Sequence, residues 1–170
     1  MTQSLQWLNQ LSAEHAEPEF LKCCGSRHWA QLMTTARPFA NVEALVAEAD
    51  RIWWSLSEED WLEAFRAHPK IGEKKAATVQ SAQAAAWSAK EQADVATASE
   101  NTLAELAQRN REYEDRFGFI FIVCASGKSS GELLTILEAR MQNNPKNELR
   151  IAAEEQRKIT RLRLEKLINP

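Results

Sequence analysis

Apolar residues recur at helical spacing through most of this sequence, and this pattern restricts the possible folds more than any other feature. The clearest example is residues 42–53, whose apolar positions share one side of a helix: Val42, Leu45, Val46, Ala49, Ile52 and Trp53. With only 5 glycines and 5 prolines, the chain also lacks the many turns of a β-sandwich or barrel. The sequence therefore predicts an all-α protein, a compact bundle of about eight helices.

Two segments depart from this amphipathic pattern. Residues 119–125 are apolar and rich in β-branched and aromatic side chains, which favours extended backbone. The rest of the sequence contains no second strand candidate, so the backbone groups of this segment need partners other than a sheet, and a polar ligand could supply them. Residues 73–87 are rich in alanine and can bury little surface, which predicts that they are the mobile part of the chain.

Length and charge limit the class of protein. The 170 residues suit one domain, so we treat 1–170 as a single domain. A net charge of −3 gives no general attraction to nucleic acid or to an anionic membrane, and no apolar run reaches the length of a membrane span. The chain starts without a signal peptide and ends without a targeting tag, so we expect a cytoplasmic protein.

The cysteines and histidines do not follow the spacing of a metal site. Cys23 and Cys24 are adjacent, Cys124 is distant, and none forms a Cys-x-x-Cys pair. The chain also has no His-x-x-x-His pair. We therefore expect reduced, buried thiols and no bound metal.

A histidine stands at the end of the fifth predicted helix, which starts at a capping box at Ser57 and ends at His68. Pro69 follows, and because proline cannot continue a helix, it fixes the histidine at the helix end. A histidine near its ordinary pKa of about 6.5 can take up or release a proton near neutral pH. The same His-Pro pair is also a common helix stop, so a purely structural role stays open.

Two further polar positions carry candidate chemistry. Ser88 and Glu91 have the spacing of a capping box and predict the start of a long helix, whose free N–H groups could also bind a polar ligand. Arg163 lies four residues after Ile159 in the last predicted helix, and this spacing turns it inward. An inward arginine needs a carboxylate, from the protein or from a ligand.

These residues belong to a pattern that spans nearly the whole chain. Its members are Cys23-Cys24-Gly25-Ser26 with Trp29, Arg37-Pro38-Phe39, Ala64-Phe65, His68-Pro69-Lys70-Ile71-Gly72, Ser88 with Glu91-Gln92, Asn110, Tyr113, Phe117-Gly118-Phe119, Phe121-Ile122, Arg140, Glu148, and Lys158-Ile159 before Leu162-Arg163-Leu164. In order and spacing, the pattern resembles the decarboxylases of 2-oxo-4-hydroxy-4-carboxy-5-ureidoimidazoline (OHCU), a family that acts in urate breakdown.

The resemblance implies a cofactor-free homodimer that binds a small-molecule substrate and converts OHCU to (S)-allantoin with release of CO2. It implies that His68 is the catalytic acid and base and that Glu91 assists it. It also implies a set of substrate-binding residues: Pro69, Ser88, Gln92, the backbone around Phe121, Ile122 and Val123, and Arg163.

Two other functions are compatible with the same residues. In a non-catalytic helical binding module, His68 would be a helix stop, Glu91 a cap and Arg163 a surface charge. A related cofactor-free lyase or hydrolase could use the same scaffold on another ureido or purine-derived ring. The sequence also leaves open which of His68 and Glu91 transfers the proton at each step, where the dimer surface lies, and whether residues 73–87 close over the substrate.

Overall fold

The computed structural model describes residues 4–70, 82–91 and 100–170. Within these ranges the chain forms nine α-helices and no strand, which confirms the predicted all-α class. The helices are α1 (Leu5–Gln10), α2 (Ala13–Cys23), α3 (Arg27–Ala36), α4 (Val42–Ser55), α5 (Glu58–Arg66), α6 (Ala82–Glu91), α7 (Glu100–Phe117), α8 (Ser130–Arg140) and α9 (Pro145–Ile168). None of these helices is long and apolar enough to cross a membrane.

The chain divides into two compact units. The first contains Met1–Ala64 and Arg157–Pro170, and the second contains Phe65–Gln156. In the first unit, α3 packs against α2 and α4, and in the second unit α7 packs against α8. The single domain predicted for 1–170 stays a prediction.

Helix starts in the first unit are set by short polar side chains, as the sequence indicated. The Asn41 side chain accepts a hydrogen bond from the Ala44 N–H at 2.8 Å. At the start of α5, the Ser57 N–H donates to Asp60 at 3.3 Å, and the Asp60 N–H donates to the Ser57 hydroxyl at 3.2 Å. These reciprocal bonds are those of a capping box, so the start of α5 is fixed locally.

Two predicted helix boundaries are wrong. Because proline favours the first turn of a helix, the sequence predicts a helix start at Pro18. Helix α2 instead begins at Ala13 and contains Pro18, because the residues before Pro18 are themselves helix formers. Helix α5 ends at Arg66, before His68. The His68 N–H still donates to the Phe65 carbonyl at 3.1 Å, so the chain leaves the helix through a tighter turn.

The predicted helix start at Ser88 is also wrong. Ser88 lies within α6, and its side chain is buried. The alanine-rich sequence that precedes Ser88 has high helix propensity, so the helix has already formed before the capping pattern is reached. Ser88 and Glu91 therefore share a helix face at a spacing of three residues instead of acting as cap and partner. Residues 73–81 lie outside the described residues, so the predicted mobility of 73–87 stays a prediction.

Residues 119–125, here called the central segment, are non-helical as predicted, and most of their side chains are buried. A glycine with positive φ stands on either side of this segment: Gly118 (φ 80) after α7 and Gly127 (φ 75) before α8. The Gly118 N–H donates to the Glu114 carbonyl at 2.8 Å and so closes the end of α7. Both turns belong to the second unit, as does the segment between them.

Charged side chains supply partners for the backbone of the central segment. Arg140 donates to the Ile122 carbonyl at 2.6 Å. Lys128 donates to the Cys124 carbonyl at 3.0 Å, and the Glu155 carboxylate accepts the Cys124 N–H at 3.3 Å. The expectation that this backbone needs partners outside a sheet is confirmed, and here the protein itself provides them.

Arg140 is held in turn by a buried polar network. Its Nε donates to the Glu148 carboxylate at 2.6 Å, the Tyr113 hydroxyl donates to the same carboxylate oxygen, and Asn143 donates to the other oxygen at 2.9 Å. Glu148 is fully buried. Burial raises the pKa of Tyr113, which keeps its hydroxyl protonated and able to donate. The Arg140 guanidinium also lies 4.6 Å from the centroid of the Phe121 ring.

We expect Arg140→Met to destabilise the protein by about 3–5 kcal/mol, because it leaves the buried Glu148 carboxylate without its cation. The free energy of unfolding, measured with guanidinium chloride, tests this. The matched control is Arg161→Met, since Arg161 lies on the surface in an ion pair of 3.5 Å with Glu165, and there we expect a loss of about 0–1 kcal/mol. Equal losses in the two variants would contradict the proposed importance of the buried pair.

Candidate active site

The end of α5 places His68 beside α9. His68 Nε2 lies 2.6 Å from Gln156 Oε1. Gln156 is fully buried, while His68 and Pro69 are half-buried. One turn before the histidine, Phe65 is fully buried, and its ring centroid lies 5.6 Å from that of Phe119. The histidine is therefore held at two points. Phe65, one turn before it, is packed in the core, and the His68 ring contacts the buried amide of Gln156.

Helix α6 carries two of the residues predicted to form the site. Ser88 is buried and Glu91 is half-buried. Burial raises the pKa of the Cys124 thiol, and the carboxylates of Glu155 and Glu91 act in the same direction. Glu91 is thus within electrostatic range of Cys124 in the central segment.

Adjacent residues of α9 connect these groups. Gln156 contacts the ring of His68, and Glu155 accepts the N–H of Cys124. His68, Glu91 and the central segment thus belong to the same unit, and one turn of α9 contacts both the histidine and the segment. This arrangement provides a proton carrier, a carboxylate and a strip of main chain for a polar ligand.

The main chain of the central segment retains groups that can bind such a ligand. Phe121, Ile122 and Val123 are 3–5% exposed. Among hydrogen bonds between described residues, none involves the N–H of Ile122 or the main-chain groups of Val123. Buried main-chain groups are normally paired, so these positions are suited to a polar partner from outside the protein.

Arg163 lies in the first unit, in the later half of α9, and its side chain is only 3% exposed. It therefore turns inward, as its spacing from Ile159 indicated. Its guanidinium donates to the Lys22 carbonyl at 3.3 Å, and its positive charge partly offsets the effect of burial on the pKa values of Cys23 and Cys24. Its role in substrate binding stays a prediction.

Other expectations can be compared with the described ranges only in part. Gln92 lies outside them, so its predicted contact with substrate stays a prediction. In the ranges that are described, no three His, Cys, Asp or Glu side chains are grouped to hold a metal ion.

Two residues that the sequence interpretation missed are Glu155 and Gln156. A signal for Gln156 was present, because it shares the inward stripe of α9 that identified Arg163.

The family of this chain follows from its similarity to known proteins. The sequence model of the family described as OHCU decarboxylase matches residues 9–165. The chain belongs to the OHCU decarboxylase family. This confirms the family expected from the sequence, and with it the class of enzyme, a carboxy-lyase of urate degradation.

Individual members of the family show how far the similarity extends. The uric acid degradation bifunctional protein TTL of Arabidopsis thaliana is 42% identical over 160 residues, which cover 94% of this chain and 49% of that protein. This chain thus spans about half the length of that relative. The 2-oxo-4-hydroxy-4-carboxy-5-ureidoimidazoline decarboxylase of Haloferax volcanii is 29% identical over 167 residues, which cover 95% of this chain and 94% of that protein.

A solved structure agrees with the fold over a similar length. The crystal structure of an OHCU decarboxylase in the presence of (S)-allantoin has 41% sequence identity and a TM-score of 0.78. The match covers 90% of this chain and 99% of that one. The OHCU decarboxylase fold is therefore shared along nearly all of the solved chain.

The protonation state of the buried thiols in the first unit can be tested through the pH dependence of stability. Burial raises the pKa of the Cys24 thiol from 9.0 to about 11, so the folded protein holds this proton more tightly than the unfolded chain does. The resulting stability is complete below pH 9 and is lost as the pH rises toward 11. We expect the loss of unfolding free energy between pH 8 and pH 10.5 to be about 2 kcal/mol smaller in Cys24→Ser. An identical pH dependence in the two proteins would contradict a protonated, inert Cys24.

Proposed function

We propose that this chain decarboxylates OHCU to (S)-allantoin without a cofactor and releases CO2. Family membership supports the reaction, as does the similarity to an OHCU decarboxylase solved in the presence of (S)-allantoin. The observation on this chain that carries the proposal is that His68 and Glu91 belong to the same unit as the central segment, with the His68 ring in contact with Gln156 of α9 and Glu91 within electrostatic range of Cys124.

The substrate itself explains why no electron-accepting cofactor is needed. Decarboxylation breaks the bond between a ring carbon and its carboxylate, and the departing CO2 leaves the bonding electron pair behind. In OHCU the neighbouring C=N bond of the ring can accept this pair, and its nitrogen then takes up a proton, which gives an enol intermediate. The protein then has to orient the substrate and to move protons, and both tasks are within reach of ordinary side chains.

His68 and Glu91 are the proton-transfer groups in this proposal. The hydroxyl on the carbon that loses CO2 must give up its proton as the enol becomes a carbonyl. The neighbouring carbon must receive a proton to become the stereocentre of allantoin. Because His68 is held by Gln156 and the Glu91 carboxylate lies near Cys124, a proton can be delivered from a fixed direction, and delivery to one face gives a single enantiomer.

The remaining predicted residues bind the substrate in this proposal. Free main-chain N–H groups around Ile122 and Val123 would donate to its carbonyl and ureido oxygens. Pro69 and Ser88 would contact the ring, since one follows the catalytic histidine and the other lies one turn before Glu91. On the family resemblance, Gln92 and Arg163 complete the set, with Arg163 as the cation for the negative charge of the substrate.

Two statements about the whole protein are also part of the proposal. From the family resemblance we propose a homodimer, and from the sequence we propose a location in the cytoplasm. Sedimentation equilibrium would give twice the mass of one chain for a homodimer, and the mass of a single chain would exclude it.

We expect His68→Ala and Glu91→Gln to lower kcat by about 10²- to 10⁴-fold, because each loses a proton-transfer group. The assay generates OHCU from urate in the cell of a circular-dichroism instrument and follows the handedness and rate of allantoin formation. The matched control is His15→Ala, since His15 is exposed and far along the chain from the site. Fast, one-handed turnover by His68→Ala would remove that residue from the mechanism. Failure of the unmodified protein to accelerate the reaction would favour a non-catalytic binding module.

We expect Arg163→Lys to raise KM about tenfold or more with a smaller effect on kcat, because lysine keeps the charge but loses the paired N–H groups of a guanidinium. Steady-state kinetics on freshly generated OHCU measure this. Arg161→Lys is the control, since Arg161 is exposed on the same helix, and it should match the unmodified enzyme. An unchanged KM in Arg163→Lys would exclude a direct contact with substrate.

A further inference from the structure

We infer that Gln156 is a positioning residue that determines which nitrogen of His68 carries the proton. Gln156 Oε1 lies 2.6 Å from His68 Nε2. An amide oxygen accepts hydrogen bonds and cannot donate them, so the imidazole nitrogen that faces it must be the protonated one. In the neutral ring the other nitrogen, Nδ1, is then unprotonated. This inference rests on the proposed catalytic role of His68.

The surroundings of Gln156 suit it to hold a ring in one orientation. Its side chain is fully buried, and its helix neighbours Ala152 and Ala153 are fully buried as well. Its position inside α9 gives the amide a rigid backbone. A buried amide has few alternative rotamers, which favours a single orientation of the ring that it contacts.

The histidine is constrained from the other side by its own backbone. The His68 N–H donates to the Phe65 carbonyl at 3.1 Å, and Pro69 limits the torsion angles of His68. With the backbone and one ring nitrogen both held, the direction of Nδ1 is fixed. These two contacts therefore set the orientation of the whole ring.

A neutral partner has a different effect from the carboxylate that orients many catalytic histidines. A carboxylate stabilises the imidazolium ion and raises the pKa of the ring, whereas an amide orients the ring without adding charge. Gln156 therefore holds the His68 ring without adding a negative charge of its own. Glutamine at this position thus serves a step in which the same ring must act as base and as acid.

The protonation state can be observed directly by nitrogen NMR of protein labelled with ¹⁵N at the histidine rings. The chain has only 3 histidines, so spectra of His15→Ala and His28→Ala identify the His68 signals. We expect neutral His68 in the unmodified protein to carry its proton on Nε2, with Nδ1 unprotonated. A proton on Nδ1 would overturn the inference without any measurement of activity. This readout also separates the inference from the proposed function, which the His68→Ala assay tests.

Two variants at position 156 complete the test. Gln156→Met keeps the volume but removes the acceptor, and we expect a mixture of both ring tautomers and a kcat reduced about 10- to 100-fold with little change in KM. Gln156→Glu keeps an acceptor and adds charge, so it should retain the Nε2–H form but move the acidic limb of the kcat profile to higher pH by about one unit or more. Charged side chains of the neighbouring elements, namely Glu91, Glu155 and the ion pair of Lys70 with Glu114, are the same in every variant.

A purely structural role for Gln156 predicts a different result. Both variants would then lose thermal stability, while the His68 tautomer and the pH profile stayed unchanged. That outcome, in variants with a native circular-dichroism spectrum, would overturn the inference. If Gln156→Met does not fold, the Gln156→Glu profile and the spectrum of the unmodified protein still decide the question.

Discussion

The central segment must be buried without the support of a sheet, and the architecture of the second unit follows from this constraint. Each main-chain group left unpaired in such a place costs about 1–3 kcal/mol. The protein meets the requirement with side chains from other elements, since Arg140 holds the carbonyl of Ile122 and Glu155 holds the N–H of Cys124. Arg140 is in turn fixed by the fully buried Glu148. A main chain held this firmly is a preorganised surface for a polar ligand, because its dipoles need not reorient when the ligand binds.

Helix α9 holds two parts of the candidate site in place. Two adjacent residues, Glu155 and Gln156, orient the central segment and the ring of His68 respectively. A rigid helix fixes the spacing between the two contacts, so a substrate that binds the segment would meet the histidine at a set position. The groups that act on the substrate are thus supported by side chains that need not touch it.

The fold was largely readable from the sequence because its determinants are local. Asn41 and the pair of Ser57 with Asp60 cap their helices as their types and positions indicate. The same logic failed at Ser88, since the capping pattern also occurs inside helices and the alanine-rich stretch before it already favours helix. Boundaries depend on such competition between neighbouring signals, which spacing alone does not resolve.

The candidate site was readable only where the family resemblance or a local stop signal identified a residue. His68 was found because Pro69 follows it, but its partner Gln156 lies 88 residues further along the chain. The inward stripe of α9 marks Gln156 as buried, yet no sequence rule says which distant side chain it will meet. The same holds for Arg140 and Glu148, whose pairing depends on how the turn between α8 and α9 orients the two helices. Contacts of this kind are products of the tertiary fold.

The glycines on either side of the central segment show a constraint of another kind. At Gly118 and Gly127, an added Cβ would meet no atom within 4 Å, so there is ample room for a methyl group. What disfavours an L-residue is the positive φ, which is a matter of handedness and not of size. Among natural residues glycine meets the least strain at such corners, whereas a chemically synthesised chain could use D-alanine there. The mirror-image methyl group would fit the torsion angle that its L-counterpart resists.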